Sequence, residues 1–344
     1  MDTKLKQVDV LPLVKYYIKE LGLHDLFDKY VPNNRNFEIK PAQVLCMMIM
    51  NILVSAKPLY KVDEWLLDYL DGKAEHIDNA AKYNDDRLAR CLDELFYADR
   101  NSLMAEASVA AIIVHELIMK RIHNDSTTVS FAGAYIRQNP DAIQIKFGHN
   151  KDHRPDYKQI VFGLNITEDG HVPISYQVFN GNQADVNTHI PNWENLREFL
   201  ATEDFVYTAD SKLCSEENLW YIEKNDGQFI TIMPRNRKEA SSFRERLQKG
   251  ETIDWQPAYA TEHSRKKGHL ITYQTYDEVM SWEGYRIVWI HSSSKENQDR
   301  NTRERQLSKA DENLEHLLPK LNEYYLKSKE QIEKNDGQFI TIMP

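Results

Sequence analysis

The stretch RIHNDSTTVSFAGAY, residues 121–135, decides the fold of this chain. From Thr127 to Phe131, β-branched and aromatic residues recur at every second position, a period that predicts a β-strand. We expect Asp125 to lie at the mouth of that strand, where a fixed carboxylate can bind a hard cation. A second strand-like run, FVYTAD at 205–210, ends in Asp210. The sequence therefore suggests that Asp125 and Asp210 belong to one metal site.

After Asp125 the predicted elements follow the order β-β-β-α-β-α-β. Beyond the first strand we predict strands at 159–166 and 172–178, a helix at 189–200, a strand at 205–209, a helix at 215–223 and a strand at 228–233. Three antiparallel strands followed by alternating helices and strands indicate a mixed sheet covered by helices. This is the order of the ribonuclease-H-like fold, in which the first and fourth strands lie side by side and parallel.

The segment before residue 120 has helical periodicity. Apolar residues at i, i+3, i+4, i+7 and i+8 predict a helix that Asn84 caps: Leu88, Cys91, Leu92, Leu95 and Phe96. The fold class we predict is mixed α/β. Its five parts are a helical N-terminal domain at 1–120, a ribonuclease-H-like catalytic core at 121–250, a β-rich insertion at 251–291, a helical segment at 292–330 and a duplicated tail at 331–344.

The tail contains an unusual repeat, because residues 332–344 copy residues 222–234 without a change. A diverged structural repeat would not be identical over this length. We interpret the copy as a recombination or assembly scar on a truncated chain. The alternative is a second strand able to take the place of the first copy.

Composition excludes several classes of protein. At 344 residues and 41% hydrophobic content, two or three structural units are expected. The three cysteines are widely spaced, which indicates neither a disulfide framework nor a zinc knuckle and favours a reducing, intracellular compartment. The most apolar run, 44–54, is too short to span a bilayer, so no membrane partner is expected.

Charge is unevenly distributed along the chain. The net charge of −10 argues against a non-specific nucleic-acid binder. Residues 235–267, however, hold nine Lys/Arg and five Asp/Glu. A solvated surface and a DNA-binding track both remain open for that region.

The loop GHNKDHRPDYKQ, residues 148–159, concentrates positive charge before the second strand. Its candidates for contacts with DNA phosphates are Lys151, Arg154 and Lys158. The alternative is an ordinary polar hairpin loop. His149 and His153 have the spacing of helical zinc ligands, but the flanking glycine and proline argue against a helix there.

Four segments taken together, HNDSTTVSFAGAY, GHNKDHRPDYKQIVFGL, DGHVPISYQVFNGNQAD and TADSKLCSEENL, resemble the IS1634-type transposases of the IS4 group, which are DDE transposases of bacterial insertion sequences. KPLYKVDEWL and NDDRLARCLDELF are similar to the helical N-terminal region of the same proteins, and the resemblance extends to about Leu321.

The resemblance implies that Asp125 and Asp210 are the first two acids of the DDE triad and ligands of Mg²⁺ (or Mn²⁺). It implies double-stranded DNA, as element ends and target, for the substrate. It also implies a homo-oligomer when full length, in the cytoplasm of a bacterium and associated with the nucleoid.

The third acid departs from the family pattern, which is Y-x2-R-x3-E-x6-K on a helix after the insertion. Arg300 and Glu304 fit R-x3-E, but Asn297 and Asp311 replace the tyrosine and the lysine. We therefore expect a transposase truncated before its catalytic glutamate helix and crippled for strand cleavage. Two alternatives stay open: a non-catalytic DNA-binding or regulatory fragment, and a ribonuclease-H-like nuclease that recruits Glu304, Asp152 or Asp156.

Overall fold

The computed structural model describes residues 9–33, 37–69, 80–136, 140, 142–263 and 268–334. The chain divides into two compact units, Met1–Pro234 and Arg235–Pro344. The finer division into five parts stays a prediction. Of the duplicated tail, residues 335–344 lie outside the described residues, and 332–334 belong to the last helix.

The first unit begins with helices. They are α1 (Leu11–Glu20), α2 (Leu23–Tyr30), α3 (Pro41–Val54), α4 (Val62–Tyr69), α5 (Asp85–Tyr97) and α6 (Arg100–Val114). Asn84 caps α5 as predicted, because its side chain accepts a hydrogen bond from the Arg87 amide at 3.0 Å. Leu88 and Cys91 of α5 are fully buried in a core built around α3, so the helical region has a hydrophobic core of its own.

A five-stranded sheet follows the helices in the first unit. Its elements are β1 (Arg121–Phe131), β2 (Lys158–Thr167), β3 (Pro173–Phe179), α7 (His189–Leu200), β4 (Val206–Ala209), α8 (Glu216–Lys224) and β5 (Gln228–Thr231). The spatial order is β3-β2-β1-β4-β5. Strands β1, β2 and β3 are antiparallel neighbours, whereas β1 with β4 and β4 with β5 are parallel. This arrangement confirms the predicted mixed α/β, ribonuclease-H-like fold.

One predicted boundary is wrong. Strand β1 begins at Arg121, and its pairing with β2 extends back to Ile122 opposite Thr167. Asp125 is therefore inside the strand, and not at its mouth. The long antiparallel partner accounts for the difference, since pairing continues through residues whose own strand preference is weak.

The second unit combines a small sheet with two helices. Its elements are α9 (Lys238–Gln248), β6 (Gln256–Glu262), β7 (Leu270–Met280), β8 (Arg286–Ser292) and α10 (Ser293–Lys334). The strands form an antiparallel sheet in the order β6-β7-β8. Phe243 of α9 stacks on Trp289 with ring centroids 3.9 Å apart, which joins helix and sheet. The β-rich segment and the C-terminal helix of the predicted fold are thus both present.

Among the described helices, none alone has the length and apolar composition needed to cross a membrane. The segments Pro41–Val54 and Leu59–Leu67 meet that requirement only as a pair bent by 89°.

Candidate metal-binding and DNA-binding site

The register of β1 against β4 aligns the two predicted acids. Ile122 pairs with Tyr207 and His123 with Thr208, in parallel. Continued by two residues, this register sets Asp125 level with Asp210. Adjacent strands lie about 4.8 Å apart, so residues at such aligned positions are near neighbours and point to the same face of a sheet. Strand β4 ends at Ala209, directly before Asp210, whereas β1 continues to Phe131.

Both carboxylates are exposed, and each has one engaged oxygen. Oδ1 of Asp125 accepts the Ser126 amide at 2.8 Å, and Oδ1 of Asp210 accepts the Lys212 amide at 2.9 Å. These local hydrogen bonds fix the orientation of each carboxylate. The second oxygen of each accepts no hydrogen bond from the residues that the structure describes, which leaves one oxygen on each acid available to a ligand.

Lys151 is the predicted DNA-binding residue that lies nearest to this site. Its ammonium is 3.5 Å from Oδ1 of Asp125 and 3.2 Å from the Ser126 hydroxyl, and it also donates to the Ser126 carbonyl. The Lys151 amide donates to Thr128 Oγ1 at 3.2 Å. The loop therefore runs along the edge of β1 that β4 leaves open, and it brings a cation to the acidic pair.

Arg154 lies farther along the loop, whereas Lys158 is the first residue of β2. Arg154 makes a two-pronged hydrogen bond to Asp156, at 3.1 and 3.0 Å, and lies over the ring of Tyr157. Arg154 holds the pKa of the Asp156 carboxyl below its usual value by this hydrogen bond. The Lys158 ammonium donates to the backbone carbonyls of Ala134 and Tyr135. The structure thus places one of the three predicted cations beside Asp125, and the other two in contacts of their own.

Close backbone contacts anchor the loop. A Cβ on Gly181 would come within 1.9 Å of the Gln159 carbonyl oxygen, and one on Gly148 within 2.0 Å of the Gly181 carbonyl oxygen. Buried Asn150 donates to the Ser130 hydroxyl at 2.8 Å and accepts the Asp152 amide at 2.7 Å. Sequence reasoning overlooked these anchors, although a glycine pair and an asparagine in a polar loop are a usable signal of close packing.

Sequence reasoning also overlooked polar residues around helix α7. Asp185, just before α7, accepts a hydrogen bond from the Ser126 hydroxyl at 3.1 Å. His189 opens α7 and is only 4% exposed. Burial lowers the pKa of His189, and the carboxylates of Asp210 and Asp185 partly oppose that effect. The same end of the sheet therefore carries more polar side chains than the two predicted acids.

The alternative acids differ in their surroundings. Asp156 is held by Arg154, and Asp152 is exposed in the loop. Glu304 is in α10 of the second unit. Within the described part of the chain, no group of three or more His, Cys, Asp or Glu side chains is arranged to hold a metal ion. Among the described residues, the candidate metal site therefore has two carboxylates, those of Asp125 and Asp210.

Comparisons with known proteins give one family match. Residues 3–109 match the family described as a domain of unknown function, DUF4277, which covers under a third of the chain. No curated protein matches the sequence.

Solved transposase structures have a distant likeness to the chain. A piggyBac transposase synaptic complex with hairpin DNA has 9% identity and a TM-score of 0.38, with 81% of this chain and 58% of that chain covered. The Mos1 paired-end complex with the left transposon end has 8% identity, a TM-score of 0.23 and coverage of 65% and 75%. The Mos1 mariner paired-end complex with Mn has 8% identity, a TM-score of 0.23 and coverage of 71% and 80%. TM-scores this low do not establish a shared fold.

Proposed function

We propose that the first unit is the catalytic core of an insertion-sequence DNA transposase of the IS1634 type, acting on phosphodiester bonds with Mg²⁺ or Mn²⁺. The observation that carries this proposal is the alignment of Asp125 on β1 with Asp210 after β4. Two acids from distant parts of the chain thus fall at aligned positions of neighbouring strands in a ribonuclease-H-like sheet. The sequence resemblance assigns the same two residues to the first two positions of the DDE triad.

The donor set fits a hard divalent cation. Mg²⁺ prefers oxygen ligands and keeps several of its waters, so two carboxylates are a sufficient protein contribution for one ion. Asp125 and Asp210 each offer an exposed oxygen. When bound, such ions activate a nucleophile and stabilise the leaving oxygen of an in-line phosphodiester displacement.

The remaining residues would position DNA. Lys151 lies beside Asp125 and can move its ammonium to a phosphate oxygen, since its present contacts with Ser126 and Asp125 are at the exposed edge of β1. Arg154 in the loop and Lys158 at the start of β2 would add phosphate contacts, and such contacts position DNA without reading its sequence. The expected partners are double-stranded element ends and target DNA, bound by a homo-oligomer in the bacterial cytoplasm.

Nicking of supercoiled plasmid DNA in Mn²⁺ tests this function. We expect weak nicking by the wild type, since the described residues place no third carboxylate with the aligned pair, and we expect this nicking to be lost in Asp125→Asn and in Asp210→Asn, with both variants folded by circular dichroism. Glu304→Ala should be measured in the same series, because loss of cleavage there would identify Glu304 as the third acid. Nicking that persists in either Asp→Asn variant would contradict the proposal.

A second candidate is a DNA-binding or regulatory protein without cleavage activity. The observation in its favour is that the described residues place no third carboxylate with the aligned pair. Binding would then rest on phosphate contacts and would weaken steeply with salt. Salt-dependent DNA affinity without Mn²⁺-dependent nicking would favour this candidate over the first.

A further inference from the structure

A chain of buried side-chain hydrogen bonds joins the two strands that carry the aspartates. Asn124 of β1 donates to Asn165 Oδ1 of β2 at 2.9 Å. Asn165 and Asn192 of α7 exchange hydrogen bonds, each of 2.8 Å. Asn192 then donates to the hydroxyl of Tyr207 in β4 at 2.9 Å. The path therefore runs from β1 through β2 and α7 to β4.

Three residues of this network are inside the core, and the fourth, Asn124, is half-buried. Asn165 is 1% exposed, Asn192 is 3% exposed and Tyr207 is fully buried. Buried amides are costly unless their donors and acceptors are satisfied. Both Nδ2 hydrogens of Asn192 have acceptors, Asn165 and Tyr207, and Asn165 donates its own to Asn192 and to Ser175 Oγ at 2.8 Å. Such mutual satisfaction fixes one relative position of the elements, which an apolar core does not.

The two ends of the network are next to the candidate site. Asn124 immediately precedes Asp125, and Tyr207 is three residues before Asp210. Tyr207 is also the strand partner of Ile122 in the register that aligns the acids. Burial, with the nearby charge of Asp210, keeps the pKa of Tyr207 well above its ordinary value, so its hydroxyl stays protonated.

His189 extends the network beyond Tyr207. The Tyr207 hydroxyl accepts from Asn192, which leaves its own hydrogen for Nδ1 of His189 at 3.2 Å. This assignment puts the imidazole hydrogen on Nε2. Nε2 is buried and has no hydrogen-bond partner among the described residues. Burial lowers the pKa of His189, and the charges of Asp210 and Asp185 partly oppose that effect.

We propose that Asn192 and Tyr207 are positioning residues that set the separation of Asp125 and Asp210. The inference rests on the proposed function, since it gives the network a purpose only if the two acids share a cation. Neither residue would touch the ion. Their hydrogen bonds link Asn124 of β1, through Asn165, to Tyr207 of β4. They would thereby fix the backbone positions of the two strands that carry the acids.

Mn²⁺ affinity of the full chain, measured by electron paramagnetic resonance of free Mn²⁺, tests the inference. Tyr207→Phe keeps the buried ring and removes only the hydroxyl, and Asn192→Leu removes the central amide. Loss of a group that hydrogen-bonds to a metal ligand typically weakens metal binding 10- to 100-fold. Because this network acts one step farther from the acids, we expect a loss at the lower end, about tenfold for each variant.

Ser108→Ala is the matched control. Ser108 is also buried in the first unit and donates to the Ile174 carbonyl at 2.8 Å, away from the network. We expect its melting temperature to fall as in Tyr207→Phe while its Mn²⁺ affinity stays at the wild-type value. If Asn192→Leu does not fold, Tyr207→Phe decides the test alone.

The outcomes separate the two proposals. Wild-type Mn²⁺ binding that requires Asp125 and Asp210 but is unchanged in Tyr207→Phe would overturn this inference and leave the proposed function standing. An equal loss of affinity in Ser108→Ala would also overturn it, because general destabilisation would then explain the effect. Wild-type protein that binds no Mn²⁺ through these two acids would overturn both.

Discussion

The parallel register of β1 and β4, continued two residues beyond its last pair, sets Asp125 level with Asp210. The site is open because β4 stops at Ala209 while β1 continues, and the uncovered edge of β1 is lined by the loop that carries Lys151. A short strand beside a long one thus creates both the acidic pair and the space next to it.

Lys151 should compete with a cation for Asp125, since its ammonium is 3.5 Å from that carboxylate. Opposite charges about 4 Å apart in water attract by about 1 kcal/mol, which corresponds to roughly a fivefold change in affinity. We therefore expect Lys151→Met to strengthen Mn²⁺ binding by up to about fivefold and to weaken DNA binding. Isothermal titration calorimetry and a DNA filter-binding assay measure the two effects.

Lys146→Met is the control for this prediction, because Lys146 is an exposed cation of the same region that forms no ion pair with the described residues. Equal Mn²⁺ affinities in the two variants, or weaker binding in Lys151→Met, would show that Lys151 does not oppose the cation.

The anchoring of the loop predicts opposite responses at two glycines of the first unit. A Cβ on Gly181 would clash with the Gln159 carbonyl at 1.9 Å, whereas a Cβ on Gly163 meets nothing closer than 3.9 Å. Overpacking typically costs about 1–3 kcal/mol, and a backbone clash belongs at the upper end of that range. We expect Gly181→Ala to lower the free energy of unfolding by about 2 kcal/mol or more and Gly163→Ala to change it little, as measured by urea denaturation. Similar values for both would contradict the described loop packing.

The helical core of the first unit can be tested on one helix. Leu88 is completely buried in α5, whereas Leu92, one turn later, is 38% exposed. Replacing a buried leucine by alanine costs about 2–5 kcal/mol, and the cost falls with exposure. Thermal unfolding should therefore show a much larger loss for Leu88→Ala than for Leu92→Ala, and the reverse order would mean that α5 packs through another face.

The second unit should lose stability in acid through Glu239. Arg237 and the Trp282 amide each donate to this carboxylate at 3.0 Å, and they lower the pKa of Glu239 to about 2. An unfolded glutamate titrates at about 4.3. Since the folded-state pKa is depressed, the stabilisation is complete above about pH 4.3 and is lost as the pH falls toward 2.

Urea unfolding at pH 7, 4.5 and 2.5 measures this contribution. Glu239→Gln should be less stable than the wild type at pH 7, and the gap should narrow at pH 2.5. Glu245→Gln is the control on the same helix, because Glu245 is exposed and pairs with no cation in the described part of the chain. A constant gap between wild type and Glu239→Gln across this range would refute the assignment.

Much of the architecture could be predicted from the sequence, because period and turn signals are local. The order of strands and helices from β1 to β5 and the Asn84 cap are examples. The extent of β1 could not be predicted, since pairing with β2 carries the strand back past Asp125 to Ile122. The network through Asn165, Asn192 and Tyr207 was also out of reach. It joins residues from separate elements, and no spacing along the chain reveals such convergence.

The central claim is that Asp125 and Asp210 hold one cation together, and a double-mutant cycle of Mn²⁺ affinity tests it most directly. Calorimetric titration of the wild type, Asp125→Asn, Asp210→Asn and the double variant gives the coupling between the two acids. We predict that either single substitution abolishes the shared site, so that the double variant binds Mn²⁺ no more weakly than either single one. Losses that simply add, or a single substitution that leaves Mn²⁺ affinity unchanged, would contradict the account.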